Sequence, residues 1–305
     1  MRNEFAETFF EAAATDERLC VVVADISPAG AMDRFRKTYP KRFINTGVAE
    51  QIMIGLVAGM ALRGLRPFAY TIATFALFRP FEFVRDDLAY QNLPVTVVGM
   101  GGGVAYANHG GTHLAQEDVA VAAAIPNMSV LAPCDPAETR AATHWCIGQT
   151  RGPVYLRLGK AGEPDLTSGA ERFEFGRLRY LQRGRDVCII GYGPILKLGV
   201  ALARALEAQG RSVSIVSAHT VKPLDEAGVA DALGRHGHVV VIEEMAPRGG
   251  LGDRVKALAW DHKATCRLDC FALQDAFLHN HGTTADMHAL HGLDLATISA
   301  KIGLA

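Results

Sequence analysis

The sequence predicts an α/β protein of two consecutive domains, each a mostly parallel sheet flanked by helices. Three observations predict this class. Short β-rich runs alternate with helix-like stretches along the chain. The alternation breaks once, after Leu158, in a stretch rich in Gly, Pro and charge. A chain of 305 residues is also long enough to bury two cores.

The N-terminal stretch MRNEFAETFFEAAATDERL reads as a helix carrying acids throughout, without the apolar core of a signal peptide. The β-rich runs that follow are LCVVVAD (19–25), PFAYTIA (67–73), PVTVVGM (94–100), MSVLAP (128–133) and PVYLRL (153–158). Helix-like stretches cover 47–63, 75–91, 118–125 and 135–149, so residues 1–165 form the first expected domain. A linker is expected over 166–182. The second domain, 183–305, has strands DVCIIGYG (186–193), VSIVSAHT (213–220), HVVVIEE (238–244) and CRLDCFAL (266–273). Helices near 195–209, 225–235 and 250–262 separate them.

With 49% hydrophobic and 21% charged residues and a net charge of −1, the composition is that of an ordinary globular protein. No basic block points to nucleic acid or a membrane surface, and no apolar run reaches the span of a bilayer. A cytoplasmic location is expected. Six scattered cysteines, without a Cys-x-x-Cys, read as buried reduced thiols.

Three features carry candidate chemistry. In Asn45–Gln51, Glu50 stands at the mouth of a helix whose continuation, Ile52 to Leu62, has no charged side chain. That helix is expected to be buried over most of its circumference. Glu50 is either a wet first-turn acid favoured by the helix dipole or a desolvated, functional carboxylate. Phe75, Phe78 and Phe81 recur every three residues after a strand, as one helical stripe. Such a stripe is core packing or a set of flat walls for a ring, at the sheet edge where α/β folds bind ligands. The third feature is the glycine-rich loop Gly99–His113. Its His109 and His113 lack a Cys or acid at ligand spacing, which favours hydrogen bonding or proton transfer over metal binding.

Two further motifs carry weaker signals. His279, His281, His288 and His291 read as surface or interface histidines rather than a metal site. The GYGPIL turn (191–196) lacks the third glycine of a dinucleotide fingerprint.

Taken in order, GVAEQ (47–51), TFALFRPFEF (74–83), HGGTHLAQED (109–118), IPNMSVLAPCDPAET (125–139) and GPVYLR (152–157) resemble the transketolase family of thiamine-diphosphate enzymes. VKPLDE (221–226) and EEMAPRGGLGDRV (243–255) extend the resemblance over nearly the whole chain. It implies that Glu50 hydrogen-bonds the aminopyrimidine ring nitrogen of thiamine diphosphate, making the exocyclic amine an internal base. It implies that Phe75, Phe78 and Phe81 surround that ring, with Asp25 close to cofactor and substrate. His113 then lies near the reacting carbon, and His109 takes the place of an aspartate that reads a substrate hydroxyl.

Departures from the family pattern shape the expected function. No Gly-Asp-Gly diphosphate signature occurs, so the chain is expected to be the C-terminal half of a split enzyme. A partner N-terminal subunit would supply the diphosphate ligands and those of Mg2+ or Ca2+, in an α2β2 assembly. At the substrate end Arg2 matches the first phosphate-gathering arginine. Ala29 and Gly101 replace a Ser and a His, and Lys160 replaces the second Arg, losing bidentate geometry. Transfer of a two-carbon ketol unit between specialised sugars is expected. The alternatives are a decarboxylative subunit, like 1-deoxyxylulose-5-phosphate synthase or the β chain of a 2-oxo acid dehydrogenase E1 component, and a scaffold that has lost catalysis.

Overall fold

The structure is a computed structural model and describes residues 1–26, 30–166 and 172–304. In chain order the first part contains α1 (Arg2–Ala13), β1 (Leu19–Val23), α2 (Ala31–Thr38), β2 (Phe43–Asn45), α3 (Glu50–Leu62), β3 (Arg66–Ile72), α4 (Ala73–Leu77) and α5 (Phe81–Phe83). After a π-helical stretch, Val84–Tyr90, come β4 (Thr96–Met100), α6 (Asp118–Ala124), β5 (Ser129–Leu131), α7 (Pro136–Gly148) and β6 (Val154–Leu158). The second part has β7 (Arg179–Gln182), β8 (Val187–Gly191), α8 (Leu196–Glu207), β9 (Val213–Ser217), β10 (Thr220–Lys222), α9 (Glu226–Arg235) and β11 (His238–Ile242). It ends with α10 (Leu251–Asp261), β12 (Arg267–Phe271), α11 (Thr284–Leu290) and α12 (Leu295–Ile302).

Two sheets result, as the alternation predicts. The first has the order β10-β5-β6-β4-β3-β1-β2 and is parallel except for β10. The second has the order β12-β11-β8-β9-β7 and is parallel except for β7. Strands β1, β4, β6, β8, β9 and β11 are buried along their whole length because helices cover both faces. Helix α1 closes one face with Phe5 and Phe9, whose rings lie 5.7 Å from Tyr70 and 4.9 Å from Phe68.

Several expectations need correction. The linker expected over 166–182 ends early, because Arg179–Gln182 pairs antiparallel with β9 as an edge strand. Strand β10, from the second half of the chain, pairs with β5 at the edge of the first sheet. The two halves are therefore stitched together through a shared sheet. The single helix expected over 75–91 is three pieces. Pro80 has no N–H for the carbonyl of Ala76, and α4 stops before it.

Helix α3 buries Met53, Ile54, Val57 and Ala58 but leaves Ile52 and Leu62 more than 60% exposed, together with neighbouring Val48. A uniformly apolar helix does not announce which of its faces is covered. His288 and His291, expected at the surface or at an interface, are buried. Cys20, Cys134, Cys146 and Cys188 are buried free thiols, and Cys266 and Cys270 are half-buried and free. Burial pushes the Cys20, Cys146 and Cys188 thiols up to about 12, which leaves them unreactive. Ala29, compared above with a Ser, lies outside the described residues.

Candidate active site

The site grows from the carboxyl edge of the first sheet, where β1, β3 and β4 deliver three loops. At the end of β1, Asp25 is exposed and takes a positive φ of 44°, uncommon for a residue with a Cβ. Its amide donates to Asn45 Oδ1, which also accepts from the Gly47 amide at 2.9 Å. Asn45 thereby ties Asp25 to the turn that leads into Glu50.

Glu50 opens α3 and is 3% exposed. The wet reading of this carboxylate is therefore wrong, since its partner is protein. Arg79 Nη1 donates to Glu50 Oε1 at 2.8 Å. The guanidinium carbon of Arg79 also lies 4.0 Å from the Phe75 ring centroid. Phe75 in turn meets the His113 ring edge-on at 5.1 Å, and His113 lies 5.0 Å from His109. Glu50, Arg79, Phe75, His113 and His109 thus form one continuous chain of contacts.

Beside that chain lies a cavity of about 310 Å³. Phe75, Phe78, Arg79, Leu114 and Glu117 line it, with Phe277 from the second domain. Phe81 does not line it and is 36% exposed, because the break at Pro80 turns it away from the stripe. Burial raises the Glu117 carboxyl above its ordinary range. Burial also lowers the His113 imidazole, helped by the charges of His109 and Arg79. Thr112 Oγ1 sits 2.9 Å from His113 Nδ1 and fixes the ring.

A second group converges on Tyr106, a residue that sequence reasoning missed. Its ring lies 5.4 Å from His109 and 6.2 Å from His113. Lys160 Nζ is 5.1 Å from the same ring, and the Arg2 charge opposes the rise that burial imposes on the phenol. Arg2 Nε is buried and has no hydrogen-bond partner among the described residues. A Cβ on Gly101 would lie 2.2 Å from Tyr106 Cε2, so the glycine exists to admit this ring. The available signal was that Tyr106 is the only Phe, Tyr or Trp in the glycine-rich loop. Lys160 lines a separate cavity between the domains, with Arg157, Glu244 and His288, and not the one beside Phe75.

The second domain holds the loop in place. Arg157 Nε reaches Asp118 Oδ2 at 2.9 Å, and its Nη2 donates to the Glu244 carbonyl at 2.9 Å. Tyr155 donates its hydroxyl to Asp118 Oδ2 at 2.8 Å. His288 Nε2 stands 2.9 Å from Glu244 Oε1. Burial opposes the Glu244 charge, but His288, Arg157 and the Val104 amide outweigh it and hold the carboxyl below its ordinary range.

Residues 1–162 match the family described as transketolase, pyrimidine binding domain, and residues 176–298 match transketolase, C-terminal domain. The chain belongs to the transketolase family. It is 35% identical to a 6-deoxy-6-sulfo-D-fructose transketolase subunit of Clostridium sp., over 83% of this chain and 78% of that protein. It is 30% identical to an apulose-4-phosphate transketolase subunit of Phocaeicola vulgatus, over 96% of this chain and 93% of that one. A solved split-gene transketolase, described as an inactive β4 tetramer, superposes with a TM-score of 0.89. That structure shares 32% identity and covers 100% of this chain and 97% of its own.

Transketolase membership implies transferase chemistry and dependence on thiamine diphosphate. A buried carboxylate beside an aromatic cavity suits a protonatable, flat heteroaromatic ring, so the residues present fit the pyrimidine half of that cofactor. Among the described residues no group of three His, Cys, Asp or Glu is placed to hold a metal ion. Among them, too, no helix is long and apolar enough to cross a membrane.

Proposed function

We propose that this chain is the C-terminal subunit of a split transketolase, moving a two-carbon ketol unit from a ketose donor to an aldehyde acceptor. The observation that carries this reading is Glu50, buried at a helix start next to the aromatic cavity. When bound, thiamine diphosphate supplies the carbanion equivalent that carries the two-carbon unit. Glu50 holds a proton in common with the pyrimidine ring nitrogen. Phe75 and Phe78 stack against that ring, and Phe81 supports their segment from outside the cavity. Asp25 stands near cofactor and substrate. His113, neutral at pH 7 because its pKa is lowered, accepts or returns a proton at the substrate hydroxyls, and His109 orients them.

Arg2 and Lys160, whose charges both act at Tyr106, bind the far end of a specialised sugar. An N-terminal subunit with a Gly-Asp-Gly motif supplies the diphosphate ligands and those of Mg2+ or Ca2+, in a cytoplasmic α2β2 assembly. The exposed apolar side chains Val48 and Ile52 near Glu50, with Leu62 at the far end of the same helix, support a partner along α3. The sugar-specific subunits among the relatives support a dedicated substrate.

Co-expression with such a partner tests the reading. Ketol transfer from a ketose is expected, falling at least about 100-fold with Glu50→Ala. Full activity of that variant would remove Glu50 from its role. Release of carbon dioxide from pyruvate, in place of ketol transfer, would favour the decarboxylative class instead.

A further inference from the structure

We propose that Arg79 is a displaceable plug in the pyrimidine slot, and that Glu117 receives it when the ring enters. The proposal rests on the reading of Glu50 above. A flat ring that hydrogen-bonds Glu50 and stacks on Phe75 needs two contact points. Arg79 holds both, with Nη1 2.8 Å from Glu50 Oε1 and its guanidinium carbon 4.0 Å from the Phe75 centroid. A guanidinium is itself planar, stacks on aromatic faces and donates to carboxylates, so it mimics the ring it would make way for.

The two partners are unequal. The Glu50 side chain is 4% exposed and fixed at the helix start, whereas that of Arg79 is 44% exposed on a long, flexible stem. The arginine is therefore the member that moves. It needs a second anion, because leaving Glu50 unpaired and Arg79 adrift costs more than exchanging partners. Glu117 lines the same cavity as Arg79 and pairs with no cation among the described residues. Moving Arg79 from Glu50 to Glu117 keeps the charge count of the slot and frees Glu50 for the ring.

A static Arg79 that only clamps Glu50 predicts the opposite sign for its removal, which makes the proposal testable. The measurement is calorimetric titration of thiamine diphosphate into the complex with the N-terminal subunit. Arg79→Met is expected to tighten binding about 3- to 10-fold, and Arg79→Lys, which keeps the charge without the planar stack, to fall between. Glu117→Gln is expected to weaken binding when Arg79 is present and to change nothing in the Arg79→Met background.

Weaker or unchanged binding by Arg79→Met overturns the plug. Equal weakening by Glu117→Gln in both backgrounds overturns Glu117 as its receiver. Glu50→Gln, titrated alongside, separates the two readings: if it leaves affinity unchanged, the assignment of Glu50 fails whatever Arg79 does.

Discussion

The carboxylate of Glu244, from the second domain, accepts a hydrogen bond from the backbone amide of Val104 at 3.0 Å. This contact reaches across the domains to the start of the loop that carries His109 and His113. It is possible because residue 103 has no side chain. Gly103 takes a φ of 65°, and a Cβ there would lie 2.5 Å from Glu244 Cδ. Gly103→Ala is therefore expected to cost about 1–3 kcal/mol, visible as a lower midpoint in guanidinium unfolding. Displacement of the loop should also raise KM for the sugar. An unchanged midpoint would mean that Glu244 does not hold the loop.

Arg157 and Asp118 form a buried ion pair, exposed by 2% and 0% at their side chains. Removing one charge strands the other, whereas removing both does not. Asp118→Asn is expected to destabilise the chain by about 3–5 kcal/mol. The double variant Asp118→Leu with Arg157→Met should be less damaged than either single one, provided Tyr155 keeps its packing. Denaturant melts of the three variants settle the point, and strictly additive losses would refute the coupling.

The alternation of strands and helices was legible because β1, β4, β6, β8, β9 and β11 are covered on both faces and so read as continuous apolar runs. Of the four edge strands, β12 was legible and the other three were not. β2, β7 and β10 have three or four residues of mixed polarity, and β10 is a strand only because β5 offers an edge across the domains. Glu50 stood out because an acid at the head of an apolar helix demands a physical reason. Arg79 lies beside Phe78 and carries no local signal, since its role comes from reaching back 29 residues to Glu50. The buried pairing of His288 was not legible for a similar reason: its partner, Glu244, lies 44 residues away.

Tyr106 and Gly101 are expected to behave as one unit. Gly101 has a φ of 68°, so Gly101→Ala meets both backbone strain and the Tyr106 ring. It should destabilise the chain by about 1–3 kcal/mol, and adding Tyr106→Ala should recover the part due to the clash. In the active complex Tyr106→Ala also opens space between Arg2, Lys160 and His109. The ratio of kcat/KM between bulkier and smaller acceptor aldehydes should then shift towards the bulkier. No recovery of stability, or no shift in that ratio, would show that the ring does not fill this subsite.

The pH dependence of the complex should report His113. Burial lowers this imidazole from its ordinary value of 6.5, and the positive charges of His109 and Arg79 lower it further. A group with a depressed pKa stays neutral until the pH falls below that lowered value. The acid limb of kcat/KM is therefore expected below pH 6.5, with the neutral imidazole as the active form above it. His109→Asn removes one of the opposing charges, so the limb should move up towards 6.5, and Arg79→Met should move it the same way. The same sign governs stability. Between 6.5 and the lower folded value the unfolded chain binds the additional proton, so this residue's contribution is present above 6.5 and fades as the pH falls through that window. His113→Asn should reduce that part of the pH dependence of unfolding. An acid limb that stays fixed in both His109→Asn and Arg79→Met would assign it to a group other than His113.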